Sequence, residues 1–171
     1  MPKLTILTGP AGSGKSTLAK QLIEDYQNLA EFNNYYLSTD LYWLRPDQSY
    51  SFNARELEQA HNWTYKGFKE IIEEEDEESK IYGTADNIVL DNTNLTWWEI
   101  ERYAKLALEH GWKVEIVEPQ TEWKNDKDTL FRLNTHNVPL NTIERQLARK
   151  EPIEELRRKL DALRMEIEKA G

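Results

Sequence analysis

The run Gly9-Pro10-Ala11-Gly12-Ser13-Gly14-Lys15-Ser16-Thr17 constrains this chain more than any other stretch. It follows Leu4-Thr5-Ile6-Leu7, which reads as a short buried strand, and it precedes a helical segment carrying Leu18, Leu22 and Ile23 on one face. Strand, glycine loop and helix in that order meet the Walker A pattern in the context it requires. The glycines let the backbone curl so that its N–H groups point inward, and the helix directs the positive end of its dipole at the same place. Such a nest suits the phosphates of ATP or another nucleoside triphosphate, with Gly9, Ala11, Gly12, Ser13 and Gly14 as backbone lining. Lys15 is placed to reach the β- and γ-phosphates, Ser16 to ligate Mg2+, and Thr17 to bond an α-phosphate oxygen. The competing reading is a glycine-rich turn that merely joins strand to helix.

Further along, strand-like and helix-like segments alternate. Tyr35-Tyr36-Leu37 reads as a second strand ending at Ser38-Thr39-Asp40, and Ala54 to Glu75 has helical spacing despite Gly67. Asn87-Ile88-Val89-Leu90 is a β-branched run that stops at Asp91-Asn92-Thr93-Asn94, before a helix from Trp97 to His110 closed by Gly111. Trp97 and Trp98 at its start read as packing residues. Lys113 to Val117 alternates polar and apolar as a half-buried strand does, and Pro119 stops it. Two short helices and a long last one follow, broken near His136-Asn137-Val138-Pro139 and at Pro152. The alternation predicts an α/β fold with a mainly parallel sheet, whose ligands gather beyond the C-terminal strand ends.

A length of 171 residues fits one domain. We expect residues 1–151 to form its body, with a lid at about 124–150, and residues 152–171 an amphipathic helix of the same domain. In that helix Ile153, Leu156, Leu160, Leu163 and Ile167 make a narrow apolar stripe, docked on its own domain or paired with a second copy. The charged share of 31% leaves no apolar run of membrane-spanning length, and the N-terminus lacks the pattern of a secretory signal. The expectation is a soluble cytoplasmic protein. The absence of cysteine excludes thiolate chemistry. A net charge of -9 opposes loose attraction to nucleic acid, although it leaves room for a local basic cleft. The acidic run Glu73 to Glu78 reads as a solvated helix end or loop.

Two carboxylates sit just past strand ends. Asp91 fits the Walker B position, where it would hold Mg2+ directly or through water, or else it caps the next helix. Asp40 is the candidate for the base that takes a proton from an attacking hydroxyl, with a turn-forming aspartate as the plainer reading.

Taken together, Gly9 to Thr17, Ser38-Thr39-Asp40, Asp91-Asn92-Thr93-Asn94-Leu95, His110-Gly111-Trp112-Lys113-Val114 and the stretch from Leu130 to Arg149 resemble the 5'-hydroxyl polynucleotide kinase family of P-loop kinases. The match covers most of residues 3–150. The resemblance implies a three-layer P-loop fold with four to five strands in the order 2-3-1-4, a helical lid, Asp40 as general base, and a lid arginine on the transferring charge. Arg132 is the lid candidate. Where the family carries a basic pair before the residue matching Asn134, this chain has Arg132-Leu133, so Arg145 or Arg149 is an alternative, with Arg149 placed on the nucleotide. The phage-type enzyme has an arginine three residues after its base, and here Trp43 stands there with Arg45 nearby. His61 and Trp63 match an Ala-His-x-Trp pattern of animal relatives. Trp43, Arg45, His61 and Trp63 are the candidate acceptor-binding residues, although Trp43 equally suits a buried core and His61 a structural role.

Three functions remain open from sequence. The first is transfer of phosphate to a nucleic-acid 5'-hydroxyl, the second transfer to a small-molecule hydroxyl, and the third nucleotide binding without transfer.

Overall fold

The computed structural model describes residues 1–27, 32–82 and 85–171. Four strands, β1 (Lys3–Leu7), β2 (Phe32–Leu37), β3 (Ala85–Asp91) and β4 (Lys113–Val117), form one parallel sheet in the order β2-β3-β1-β4. Register places Leu7 beside Asp91 on one side and Val117 on the other, so three strands end on one level.

Alternation along the strands divides the core. Leu4, Ile6, Ile88, Leu90, Val114 and Ile116 face the larger cluster, which is covered by α2 (Leu57–Tyr82), α3 (Trp97–Glu109) and α6 (Ile153–Ala170). Leu7 and Val89 face the other way, toward Leu18, Ala19, Leu22 and Ile23 of α1 (Lys15–Gln27). This is the three-layer P-loop NTPase arrangement. In α6, Ile153, Leu156, Leu160 and Leu163 are buried in the same core as α3 and β4, so the apolar stripe docks on its own domain.

Three features differ from the sequence reading. The segment expected as one helix from Ala54 starts as a 3₁₀ turn over Ala54–Glu56, capped by Asn53 Oδ1 on Arg55 N–H, and α2 then runs on through the acidic run. Glu73 and Glu74 are exposed on that helix, and the side chains beyond Glu74 in the run lie outside the described residues. Trp98 is 84% exposed rather than packed, because α3 turns only Trp97 toward the core. Thr96, not Asp91, is the N-cap of α3, and Glu99 Oε2 reaches back to the N–H groups of Leu95 and Thr96.

After β4 the chain turns at 122–125 into α4 (Lys127–Leu133) and α5 (Leu140–Arg149), a packed helical pair. Asn134 closes the connection between them, accepting from Val138 N–H and donating to Phe131 O. No helix among the described residues is long and apolar enough to cross a membrane.

Candidate active site

The loop from Gly9 to Gly14 joins β1 to α1 as read. Lys15 folds back over it and donates to Pro10 O at 3.0 Å. Burial holds the Lys15 ammonium below its ordinary range, against the pull of two nearby carboxylates, Asp91 and Asp40. Ser16 Oγ donates to Asp91 Oδ2 at 3.1 Å, and Tyr36 Oη of β2 donates to the same oxygen at 2.5 Å. Burial, then the Asp91 charge and that bond, push the Tyr36 phenol well above its ordinary value, so it remains a donor. Thr17 is exposed on the first turn of α1.

The Asp-Asn-Thr-Asn block works as a clasp on this loop. Thr93 O accepts from Gly9 N–H at 2.9 Å, Asn94 Nδ2 donates to Leu7 O at 2.8 Å, and Asn94 O accepts from the Thr8 hydroxyl at 2.7 Å. Asn94 is buried with φ at 43°, a left-handed geometry that asparagine tolerates better than most residues. Asn92 Oδ1 accepts from Thr39 N–H at 2.8 Å, which links β3 to the residue before Asp40.

Asp40 lies in a 3₁₀ turn over Thr39–Trp43, where Ser38 Oγ accepts from its backbone N–H. Tyr50 Oη donates to its Oδ1 at 3.2 Å, and His136 Nε2 from the connection between α4 and α5 stands 3.4 Å from Oδ2. Tyr50 and His136 lie ring to ring with centroids 4.7 Å apart.

The four acceptor-side candidates divide. Trp43 is 5% exposed, packed among Tyr42, Tyr50 and Phe52, which leaves no free face for a base. Trp63 is 48% exposed with its ring edge-on to Tyr42. His61 Nδ1 stands 3.5 Å from the Thr39 hydroxyl, beside the turn that carries Asp40. Burial and then Arg102 hold its imidazole below the ordinary value, against Glu99 and Asp40. Arg45 is exposed and donates to Ser51 Oγ at 3.3 Å.

A family model described as AAA domain matches residues 4–153. The chain belongs to this AAA domain family. It is 38% identical over 144 residues to human NEDD4-binding protein 2, covering 84% of this chain and 7% of that protein. To rat 2',3'-cyclic-nucleotide 3'-phosphodiesterase it is 28% identical over 144 residues, covering 83% of this chain and 30% of that protein. The chain thus spans less than a third of the length of either relative. Among solved structures, Chaetomium thermophilum Kti12 in complex with ADP-AlF3 superposes with a TM-score of 0.57 at 16% identity, over 87% of this chain and 80% of that one.

In this AAA domain the segment after β4 holds the phosphate loop. Trp123 Nε1 donates to Gly12 O at 3.0 Å and Thr121 Oγ1 to Ser13 O at 2.9 Å. Gly12 has φ at 79°, and a Cβ there would meet Leu130 O of α4 at 2.3 Å. The arginines expected on a lid stand elsewhere. Arg132 is exposed on α4, Arg145 donates to Asn141 O and Thr142 Oγ1 of its own helix, and Arg149 pairs with Glu99 at 3.1 Å. The α5 residue that does reach the loop is Gln146, whose Oε1 accepts from Ala11 N–H at 3.0 Å.

Sequence reasoning therefore missed Tyr36, Tyr50, His136 and Gln146. Tyr36 alone carried a local signal, its place near the end of a strand that leads to Asp40. The others meet their partners only through the fold.

Proposed function

We propose that the chain is an ATP- and magnesium-dependent phosphotransferase whose acceptor is a nucleic-acid 5'-hydroxyl. The observation that carries this reading is the approach of two carboxylates to the Lys15 ammonium, Asp91 at the end of β3 and Asp40 just past the end of β2. A protein that only binds nucleotide has no use for a second carboxylate tied to the rim through Asn92 and Tyr50.

The residues fit a hard divalent cation. The Ser16 hydroxyl and the Asp91 carboxylate meet as oxygen donors, and no group of three or more acidic, histidine or cysteine side chains suited to a metal stands among the described residues. That is the donor set of an ion held mostly by substrate phosphates and water, as magnesium is. When bound, the ion neutralises charge on the phosphates. Lys15 does the same from the protein side, and Tyr36 fixes Asp91 for its ligand role. Asp40 takes the hydroxyl proton as the acceptor oxygen bonds to the γ-phosphorus and the bond to the bridging oxygen breaks, releasing ADP. Trp63, His61 and Arg45 border the acceptor side, where an exposed indole suits stacking on a base. The resemblance to 5'-hydroxyl polynucleotide kinases supports the choice of acceptor. The negative net charge favours a small-molecule hydroxyl as the second reading.

Incubation with γ-labelled ATP, Mg2+ and a 5'-hydroxyl oligonucleotide, beside a panel of nucleosides and sugars, tests both. Label on the oligonucleotide is the expected result. Asp40→Asn should lower transfer by about 10²- to 10⁴-fold while ATP affinity stays within about twofold. Label only on a small molecule transfers the assignment to the second reading, and label on neither rejects phosphotransfer.

A further inference from the structure

Both oxygens of the Asp40 carboxylate face a donor. Tyr50 Oη donates to Oδ1 at 3.2 Å, and His136 Nε2 stands 3.4 Å from Oδ2. An ionised carboxylate only accepts, so the imidazole nitrogen turned to it carries hydrogen. Burial, then the Asp40 charge and that bond, push the Tyr50 phenol above its ordinary value, so it too remains a donor. The two rings support each other, with centroids 4.7 Å apart and planes tilted by 35°. Each carboxylate oxygen has two lone pairs, which leaves room beside either donor for a hydroxyl.

The two rings come from different parts of the fold. Tyr50 belongs to the excursion between β2 and α2, where it bridges to Leu44 and its ring lies edge-on to Trp43. His136 follows α4, and Asn134, just before it, fixes the connection by its bonds to Phe131 O and Val138 N–H. The imidazole thus reaches the base from the same segment that holds the phosphate loop through Thr121 and Trp123. Stability is a poor reason for this contact, because the His136 and Asp40 side chains are 40% and 47% exposed and so open a pair contributes little to folding. Aim is a better one. A proton acceptor must come within hydrogen-bond reach of its hydroxyl, ~2.6–3.2 Å, and the last torsion of an aspartate is broad unless something fixes it.

We propose that His136 is a positioning residue: together with Tyr50 it aims the Asp40 carboxylate at the acceptor hydroxyl. This rests on the phosphotransfer reading and holds for either class of acceptor.

Single-turnover transfer from γ-labelled ATP tests the assignment, with the 5'-hydroxyl oligonucleotide as acceptor or, where wild type labels only a nucleoside or sugar, with that molecule. His136→Ala should lower the rate at saturating acceptor by about 10- to 10²-fold. Its urea midpoint should match that of wild type, and its affinity for Mg2+ with a non-hydrolysable ATP analogue should stay within about twofold. His136→Gln, whose amide N–H can meet the same oxygen, should recover most of the rate. In an Asp40→Asn background, His136→Ala should cost less than about threefold, since a residue that acts through the carboxylate then has nothing to aim. A wild-type rate in His136→Ala, no recovery in His136→Gln, or an equal loss with and without Asp40 overturns this inference alone. Wild-type protein that labels no acceptor overturns it together with the phosphotransfer reading.

Discussion

Asn92 Oδ1 holds the backbone N–H of Thr39 at 2.8 Å, so the tip of β3 fixes the turn that presents Asp40. The same strand tip carries Asp91, which takes the Ser16 hydroxyl of the phosphate loop. One strand end thus positions both sides of the site.

Asn92→Ala should therefore separate positioning from binding. Leaving a partly buried N–H unpaired costs about 1–3 kcal/mol, and a misplaced base lowers transfer by up to about 10²-fold. Urea unfolding should read the first. Single-turnover transfer should read the second, with nucleotide affinity unchanged.

Gly12→Ala places a methyl group against Leu130 O at a backbone angle that side chains rarely adopt. α4 must move off the loop, at a cost of about 1–3 kcal/mol. Hydrogen exchange in α4 should rise sharply while β1 and β3 stay protected, and unchanged exchange would mean that the grip on the loop is unimportant.

His61 gives the domain a pH dependence of known sign. Its imidazole is held below the ordinary value in the fold, first by burial and then by Arg102, so the unfolded chain binds the proton more readily. Stability from this source is complete above about pH 6.5, the unfolded value, and declines as pH falls through the lower folded value. His61→Gln should flatten that part of the stability curve between about pH 5 and 7.

Removal of residues 153–171 takes away four buried side chains, Ile153, Leu156, Leu160 and Leu163. At about 1.5–3 kcal/mol each, the loss of roughly 6–12 kcal/mol matches the whole stability of a typical domain. The truncated chain should lack near-ultraviolet circular dichroism. A folded product would show that α6 is dispensable to the core.

What the sequence revealed was local. The loop from Gly9 to Ser16 was legible because glycine spacing and the adjoining periodicities are neighbours in the chain, and the ends of β3 and β4 were legible from β-branched runs stopped by polar residues or proline. The start of β2 was not. Asn33 and Asn34 look like loop residues, yet they pair their side chains with Asp86 and Asn87 of β3, and a polar pair satisfied across strands leaves no trace in either segment alone. The lid showed the same limit, because helical spacing does not tell which of Arg145, Gln146 and Arg149 faces the loop. Glu99 attracts Arg149 away, and that pairing spans 50 positions.

The sheet order sets a spacing that governs how such a protein can change. With β3 between β1 and β2, the strands that lead to Lys15 and to Asp40 stand two strand intervals apart, roughly 10 Å. In the proposed phosphotransferase the donor half would belong to β1 and the helices after β4, and the acceptor half to the excursion between β2 and α2. Under the proposed phosphotransfer, exchange of residues 41–56 should change which hydroxyl is greeted and leave the handling of the nucleotide untouched.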